Sequence, residues 1–173
     1  PNLRASGVEF DLRRATPYLQ YDKVDFRIPV FTEGDCLARY FVRADEVRES
    51  AKIVKQCLQL MQPGEIKANL PKSVLPQKTE VYSKMEELIH DFMIVNFGIN
   101  PPVGEVYHAI EGSKGELGFY LVSKGEGHPW KCKIRSPSFI HIQSLPHLVK
   151  GHMVSDVVAI IGSIDPIMGE ADK

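Results

Sequence analysis

The chain predicts an α+β fold that is mainly helical, with two long helices, a buried C-terminal helix and a small antiparallel sheet. Three observations carry this prediction. A helical period runs from residue 36 to 61, strand-like alternation with a hairpin signal fills residues 104–135, and an apolar run closes on Asp165-Pro166. The 173 residues can bury one sizeable core. Charged residues make up 25% and apolar residues 43%, the balance of an ordinary globular chain. A net charge of −1 advertises no partnership with nucleic acid or anionic lipid. The local basic runs Arg13-Arg14 and Lys131/Lys133/Arg135 read as solvated faces or partner contacts.

Residues 1–34 show little period and carry turn formers (Gly7, Pro17, Pro29, Gly34), so they read as extended or irregular. Val24–Ile28 alternates and suggests a short strand or extended edge. The first long helix follows, 36–61, with Val47, Ala51, Val54, Leu58 and Met61 on one expected apolar face and Pro63-Gly64 as its stop. Residues 64–79 have no period and form a loop. A second helix is expected over 81–97, its face marked by Tyr82, Met85, Leu88/Ile89 and Phe92, with Gly98 as the C-cap. Strands are expected at 104–110, 115–123 and 129–135, with Lys124–Gly127 as a turn. The middle strand is apolar on both faces and should be central and covered on both sides. A short helical turn around 142–149 precedes a final helix, 152–164, which Asp165-Pro166 ends because the residue before proline avoids the α region.

Cys36, Cys57 and Cys132 are odd in number and widely spaced, which argues for inert buried thiols in a reducing compartment. The longest apolar stretch, 153–164, includes Ser155 and Asp156 and falls short of the about 20 residues that span a bilayer. Any membrane association is therefore expected through partners. His152 and Asp156 are spaced i, i+4, but Pro146 and Gly151 interrupt any larger set with His141 and His147, so no metal site is expected. His152 is expected instead to cap the final helix, buried and hydrogen-bonded. No dinucleotide, P-loop or nucleophile-elbow motif is present, and three scattered cysteines cannot ligate an iron–sulfur cluster.

Five segments, in order, resemble one family. They are Leu3–Gly7 (LRASG); Gly34-Asp35 with Arg39 and Arg43; Glu105–Glu116; Lys133–Phe139 (KIRSPSF); and Gly151-His152 through Asp156 to Gly162–Asp165. The tail SIDPIMGEADK resembles the Asp-Pro-Cys-x-x-Cys end of nickel-iron hydrogenase large subunits, with Ile167 and Glu170 in the thiolate positions. Nickel there needs soft sulfur ligands, and isoleucine coordinates nothing. The chain thus resembles the D subunit of NADH-quinone oxidoreductase, respiratory complex I, a relative of that large subunit. The resemblance implies the same large-subunit-like fold and reads residues 1–173 as a C-terminal portion. It groups them as the long helix 36–61, the sheet 104–135 and the C-terminal helix with the former ligand motif, 152–173. The chain lacks an initial methionine, and the family's N-terminal half, with a histidine and tyrosine that contact the quinone, is expected to precede it.

The resemblance further implies a wall of the quinone-reduction cavity, with quinone as substrate. No metal or flavin would be bound by this chain, and the iron–sulfur cluster would sit in the adjoining small subunit. Asp165 is the catalytic candidate, supplying protons near the quinone or hydrogen-bonding the residues that do. The residues alone favour a turn residue that satisfies backbone donors, and the resemblance is what turns the reading to a site role. Ile167 and Glu170, with Lys114 and Arg135 at strand edges, are the cavity candidates. Ser113-Lys114 stands where hydrogenases have Pro-Arg, which keeps the charge but loses the bidentate fork. Implied partners are the small iron–sulfur subunit and the C subunit, with the membrane arm reached indirectly and no nucleic acid. The implied location is peripheral, on the cytoplasmic face of the inner (plasma) membrane. The chain alone is expected to be inactive and to self-associate. Alternatives are a scaffold or interaction module without catalytic residues, a true hydrogenase relative (disfavoured by the lost thiolates), or an F420-linked or photosynthetic-type complex.

Overall fold

The computed structural model describes residues 1–66, 70 and 73–172. The expected α+β architecture is present. Two one-turn helices, α1 (Asn2–Ala5) and α2 (Leu12–Ala15), precede the long helix α3 (Cys36–Leu60). Helices α4 (Lys78–Val81) and α5 (Met85–Phe97) lead to strands β1 (Gly104–Gly112), β2 (Gly115–Ser123) and β3 (Lys131–Arg135). Short helices α6 (Pro137–Ile142), α7 (Leu145–Val149), α8 (Asp156–Ile164) and α9 (Met168–Ala171) complete the chain.

The Cα positions divide into two units. The first comprises Pro1–Met61, His108–Gly118 and the chain from Ile134 onward; the second comprises Gln62–Tyr107 and Phe119–Lys133. All the fully buried side chains among the described residues belong to the first. Its core is two small clusters on α3, Ala5 with Ala38 and Val42, and Val24 and Phe26 with Ile53.

Helix α3 begins where expected, because the Asp35 carboxylate accepts the Ala38 amide at 2.7 Å as an N-cap. Its buried face is not the expected one. Val47, Val54, Leu58 and Met61 are exposed, and Ala38, Arg39, Val42, Glu49 and Ile53 point inward. The inward charges are tolerated because the N-terminal segment brings partners to them: Arg39 donates to the Gly34 carbonyl at 2.8 Å, and the Arg27 amide donates to Glu49 at 3.1 Å. Residues 24–28 are extended but form no strand. Val24 and Phe26 face α3, and the Asp25 amide and carbonyl are both satisfied by the Gln56 side chain, at 2.8 and 2.6 Å. Side chains of a helix thus replace a strand ladder.

The second long helix is interrupted. The Ser83 hydroxyl donates back to the Thr79 carbonyl at 3.0 Å, and residues 82–84 turn between α4 and α5. Its expected apolar face, including Met85, Ile89 and Phe92, is exposed, while Gly98 does cap it at φ 73°. Of the loop expected over 64–79, residues 67–69, 71 and 72 lie outside the described residues. The sheet is antiparallel with β2 central, as expected, but β2 is mostly half-buried and Phe119 is exposed.

Helix α8 starts at Asp156 and not at residue 152. The Asp156 carboxylate accepts the Met153 amide at 3.0 Å, and His152 is exposed, so it does not cap a buried helix. The cysteines also depart from expectation: Cys57 and Cys132 are exposed, and Cys36 is half-buried. Among the described residues, no helix is long and apolar enough to cross a membrane.

Candidate functional site

Helix α8 is apolar and buries Ile160 and Ile164 within the first unit. Its last carbonyls need partners, as at any helix end. Asp165 ends it in the left-handed region, φ 55° and ψ 57°, with its amide still donating to the Ile161 carbonyl at 3.1 Å. Aspartate visits this region more readily than bulkier residues do, and Pro166 prevents any continuation. The turn throws the Asp165 carboxylate away from the helix axis.

There it meets two cations. Lys114, in the two-residue turn between β1 and β2, pairs with Asp165 Oδ2. Arg43, one helical turn past Arg39 on α3, places its Nε 3.7 Å from the same oxygen. The side chains are 44% exposed for Asp165, 19% for Lys114 and 22% for Arg43, so the group lies at the surface with its cations largely covered. The Lys114 turn is itself anchored, since its carbonyl lies 2.7 Å from His141 Nε2. Burial pushes His141 below the ordinary histidine pKa, only partly opposed by this hydrogen bond. The imidazole is therefore neutral at pH 7 and donates from Nε2. A Cβ on Gly115, at φ 138°, would sit 3.3 Å from Pro137 and 3.4 Å from the His141 ring, so glycine lets the turn approach α6.

The other expected residues lie in two further places. Glu170 accepts from the Ser138 hydroxyl at 2.6 Å, and its backbone carbonyl accepts from the Ser136 hydroxyl at 2.6 Å. Ser138 is fully buried, and its oxygen also accepts the Ile167 amide at 3.2 Å. These bonds strap α9 and the preceding residues onto α6, while the Ile167 side chain stays exposed. Arg135 donates to the Glu116 carbonyl at 2.8 Å and lines a separate cavity of about 430 Å3 together with Arg4, Glu111, Glu116 and His141. Asp165, Lys114, Ile167 and Glu170 do not line that cavity.

Asp165 and Lys114 are therefore brought together, and Arg135 is not brought to them. Arg43, Ser138 and His141 are the residues that sequence reasoning did not single out as site residues. Arg43 and Ser138 stood inside quoted motifs, so their signal was present without a partner to give it meaning. Among the described residues, no group of three or more His, Cys, Asp or Glu side chains is arranged to hold a metal ion.

Comparison with known proteins bears on this arrangement. The family model described as respiratory-chain NADH dehydrogenase, 49 Kd subunit, matches residues 1–173. The D subunit of NADH-quinone oxidoreductase from Salinibacter ruber is 58% identical, covering 100% of this chain and 39% of that protein. The corresponding D 1 subunit from Chloroherpeton thalassium is 58% identical with the same coverage. The D subunit from Methylacidiphilum infernorum is 53% identical over 100% of this chain and 41% of its own length. The chain thus spans about two fifths of the length of these relatives.

Proposed function

The chain belongs to the family of the respiratory-chain NADH dehydrogenase 49-kDa subunit, and from that premise we propose that it forms part of the quinone-reduction cavity of an NADH-quinone oxidoreductase. In this reading electrons from NADH reach quinone through iron–sulfur clusters held by other subunits, and their transfer is coupled to proton translocation. The contribution of this chain is shape and proton handling. The neighbours are the small iron–sulfur subunit and the C subunit. The chain sits peripherally at the cytoplasmic membrane face, held by these partners, and is inactive by itself.

One observation carries the reading. Asp165 is turned out of α8 by its left-handed backbone, with its carboxylate between Lys114 and Arg43 and still reaching the surface. As a quinone oxygen gains electrons it gains basicity. An ammonium and a carboxylate fixed side by side are suited to hold a proton there and to stabilise the charge that develops. Exposed Ile167, two residues on, supplies an apolar surface suited to a quinone ring or tail. Arg135 would act on the separate cavity wall. Glu170, already satisfied by Ser138, would contribute by holding the strap that carries Ile167.

The test is Asp165→Ala in the intact complex, with NADH-to-quinone turnover measured beside NADH-to-artificial-acceptor turnover. The expected result is about a tenfold or greater loss of quinone reduction, ~1.4 kcal/mol of transition-state stabilisation, with the second rate unchanged. Full retention of both rates would leave Asp165 as a turn residue and this chain as a scaffold.

A further inference from the structure

Two arginines one turn apart on α3 grip the exit of α8. Arg39 Nε donates to the Ser163 hydroxyl at 3.0 Å, and one terminal nitrogen of Arg43 donates to the Ile164 carbonyl at 3.0 Å. The other terminal nitrogen of Arg43 donates to the Arg39 carbonyl at 3.2 Å. A cation on the last carbonyls of a helix is favourable on electrostatic grounds as well. The remaining donor of Arg43 is different. Its Nε–H is buried, has no hydrogen-bond partner among the described residues, and stands 3.7 Å from Asp165 Oδ2. Leaving such a donor unmatched costs about 1–3 kcal/mol, so its persistence calls for an explanation. The carboxylate it faces is taken by Lys114.

We propose that Arg43 is the positioning residue for Asp165, and that its unmatched Nε–H is a second seat which the carboxylate occupies when Lys114 releases it. The proposal rests on the reading of Asp165 given above. Arg43 holds the Ile164 carbonyl, which fixes where the left-handed turn begins, and its Nε–H lies on the side to which that turn directs the carboxylate. The exchange needs a displacement of under 1 Å, the difference between 3.7 Å and an ordinary hydrogen bond. A partly covered carboxylate is costly without a cation, and arginine remains charged at any working pH, so Asp165 stays paired in both positions. The Lys114 ammonium is then free to face whatever occupies the site. Lysine in place of Arg43 would keep a charge but could not hold the Ile164 carbonyl, the Arg39 carbonyl and the carboxylate together.

A double-substitution cycle in the assembled oxidoreductase tests this. Arg43→Met should lower quinone turnover at saturating quinone by about five- to tenfold with the Michaelis constant within about twofold, the artificial-acceptor rate holding. On an Asp165→Asn background the same substitution should cost nothing further, because the group it positions is already gone. Losses that multiply on that background would overturn the inference, since Arg43 would then act independently of Asp165. The Asp165→Asn single variant separates the two readings: wild-type quinone turnover in it sinks the role of Asp165 itself. If Arg43→Met fails to assemble, Arg43→Lys takes its place in the cycle, with the same absence of further loss expected and multiplying losses again refuting.

Discussion

Arg4 offers a direct test of what locates the site. Its guanidinium, 4% exposed, lies 3.1 Å from Asp11, 2.5 Å from Glu46 and 3.2 Å from Glu111, and it donates to the Phe10 carbonyl at 3.2 Å. One cation thus ties together the N-terminal segment, α3 and the end of β1 that leads into the Lys114 turn. Each contact is worth about 4 kcal/mol gross at the effective dielectric of a protein, most of it offset by desolvation. The net value of the cluster is therefore modest, but breaking it is not. Arg4→Met removes the one guanidinium that all three carboxylates share, while Asp11 keeps Arg13 at 2.6 Å, and should cost about 3–5 kcal/mol of unfolding free energy. Arg48 is the control: it also lies 2.5 Å from a carboxylate, that of Asp45, but is 73% exposed. Arg48→Met should cost no more than about 1 kcal/mol, so burial and not distance decides the outcome. Urea denaturation followed by far-ultraviolet circular dichroism measures both. The deficit should also shrink in acid. Acid neutralises carboxylates, and a neutral carboxyl loses less from a missing guanidinium than a charged one does. A deficit for Arg4→Met no larger than for Arg48→Met, or one that does not narrow in acid, would refute the reasoning.

Two further outcomes follow from the same geometry. His141 has a folded-state pKa below the ordinary value of 6.5, because burial penalises the charged ring. Its contribution to stability is therefore complete above pH 6.5 and declines as pH falls below it; urea midpoints compared between about pH 7.5 and 5.5 should show a slope that His141→Gln reduces, and an unchanged slope would show that other groups set it. On α3 and its C-cap, Leu37, Tyr40, Ala44, Val47, Ala51, Val54, Leu58 and Met61 repeat at alternating three- and four-residue spacing, and the large apolar members are exposed. The isolated chain should self-associate through this stripe, Val54→Asp with Leu58→Asp should reduce the associated mass in light scattering, and a wild-type monomer at high concentration would dismiss the idea.

That stripe also explains where the sequence misled. The bounds of α3 were legible, because Asp35 is a strong N-cap and Pro63-Gly64 a strong stop. Its inward face was not. Periodicity finds an apolar stripe but cannot say which side of a helix the rest of the fold uses. The used side carries Arg39, Glu46 and Glu49, whose partners are up to 124 residues away along the chain. The alternation at Val24–Ile28 marked an extended segment, but its hydrogen bonds come from Gln56 and Glu49, which no local rule anticipates. In the site, Asp165-Pro166 announced a helix exit with an acidic group at it. The pairing with Lys114 depends on a turn 51 residues upstream meeting that exit, and spacing in the chain carries no such information.

The positions that the family resemblance aligns with lost thiolates now differ in kind. Glu170 is ionisable, yet its carboxylate and its carbonyl are engaged by Ser138 and Ser136, two hydroxyls buried beneath it. Freeing it would strand those hydroxyls and release the Ile167 amide that Ser138 also holds. Ile167 has no polar function, and its side chain is exposed. Ile167 has no proton to give, and Glu170 is tied through one carboxylate oxygen to the strap. What remains chemically available at this end of the chain is Asp165 and the two cations flanking it, Lys114 from the sheet turn and Arg43 from α3. In the proposed quinone reduction the acid–base work falls on Asp165 and Lys114, with Arg43, charged throughout, holding the carboxylate in place. Variants of Glu170 should then act through assembly or through the placement of Ile167, which is how their effects would differ from those of Asp165.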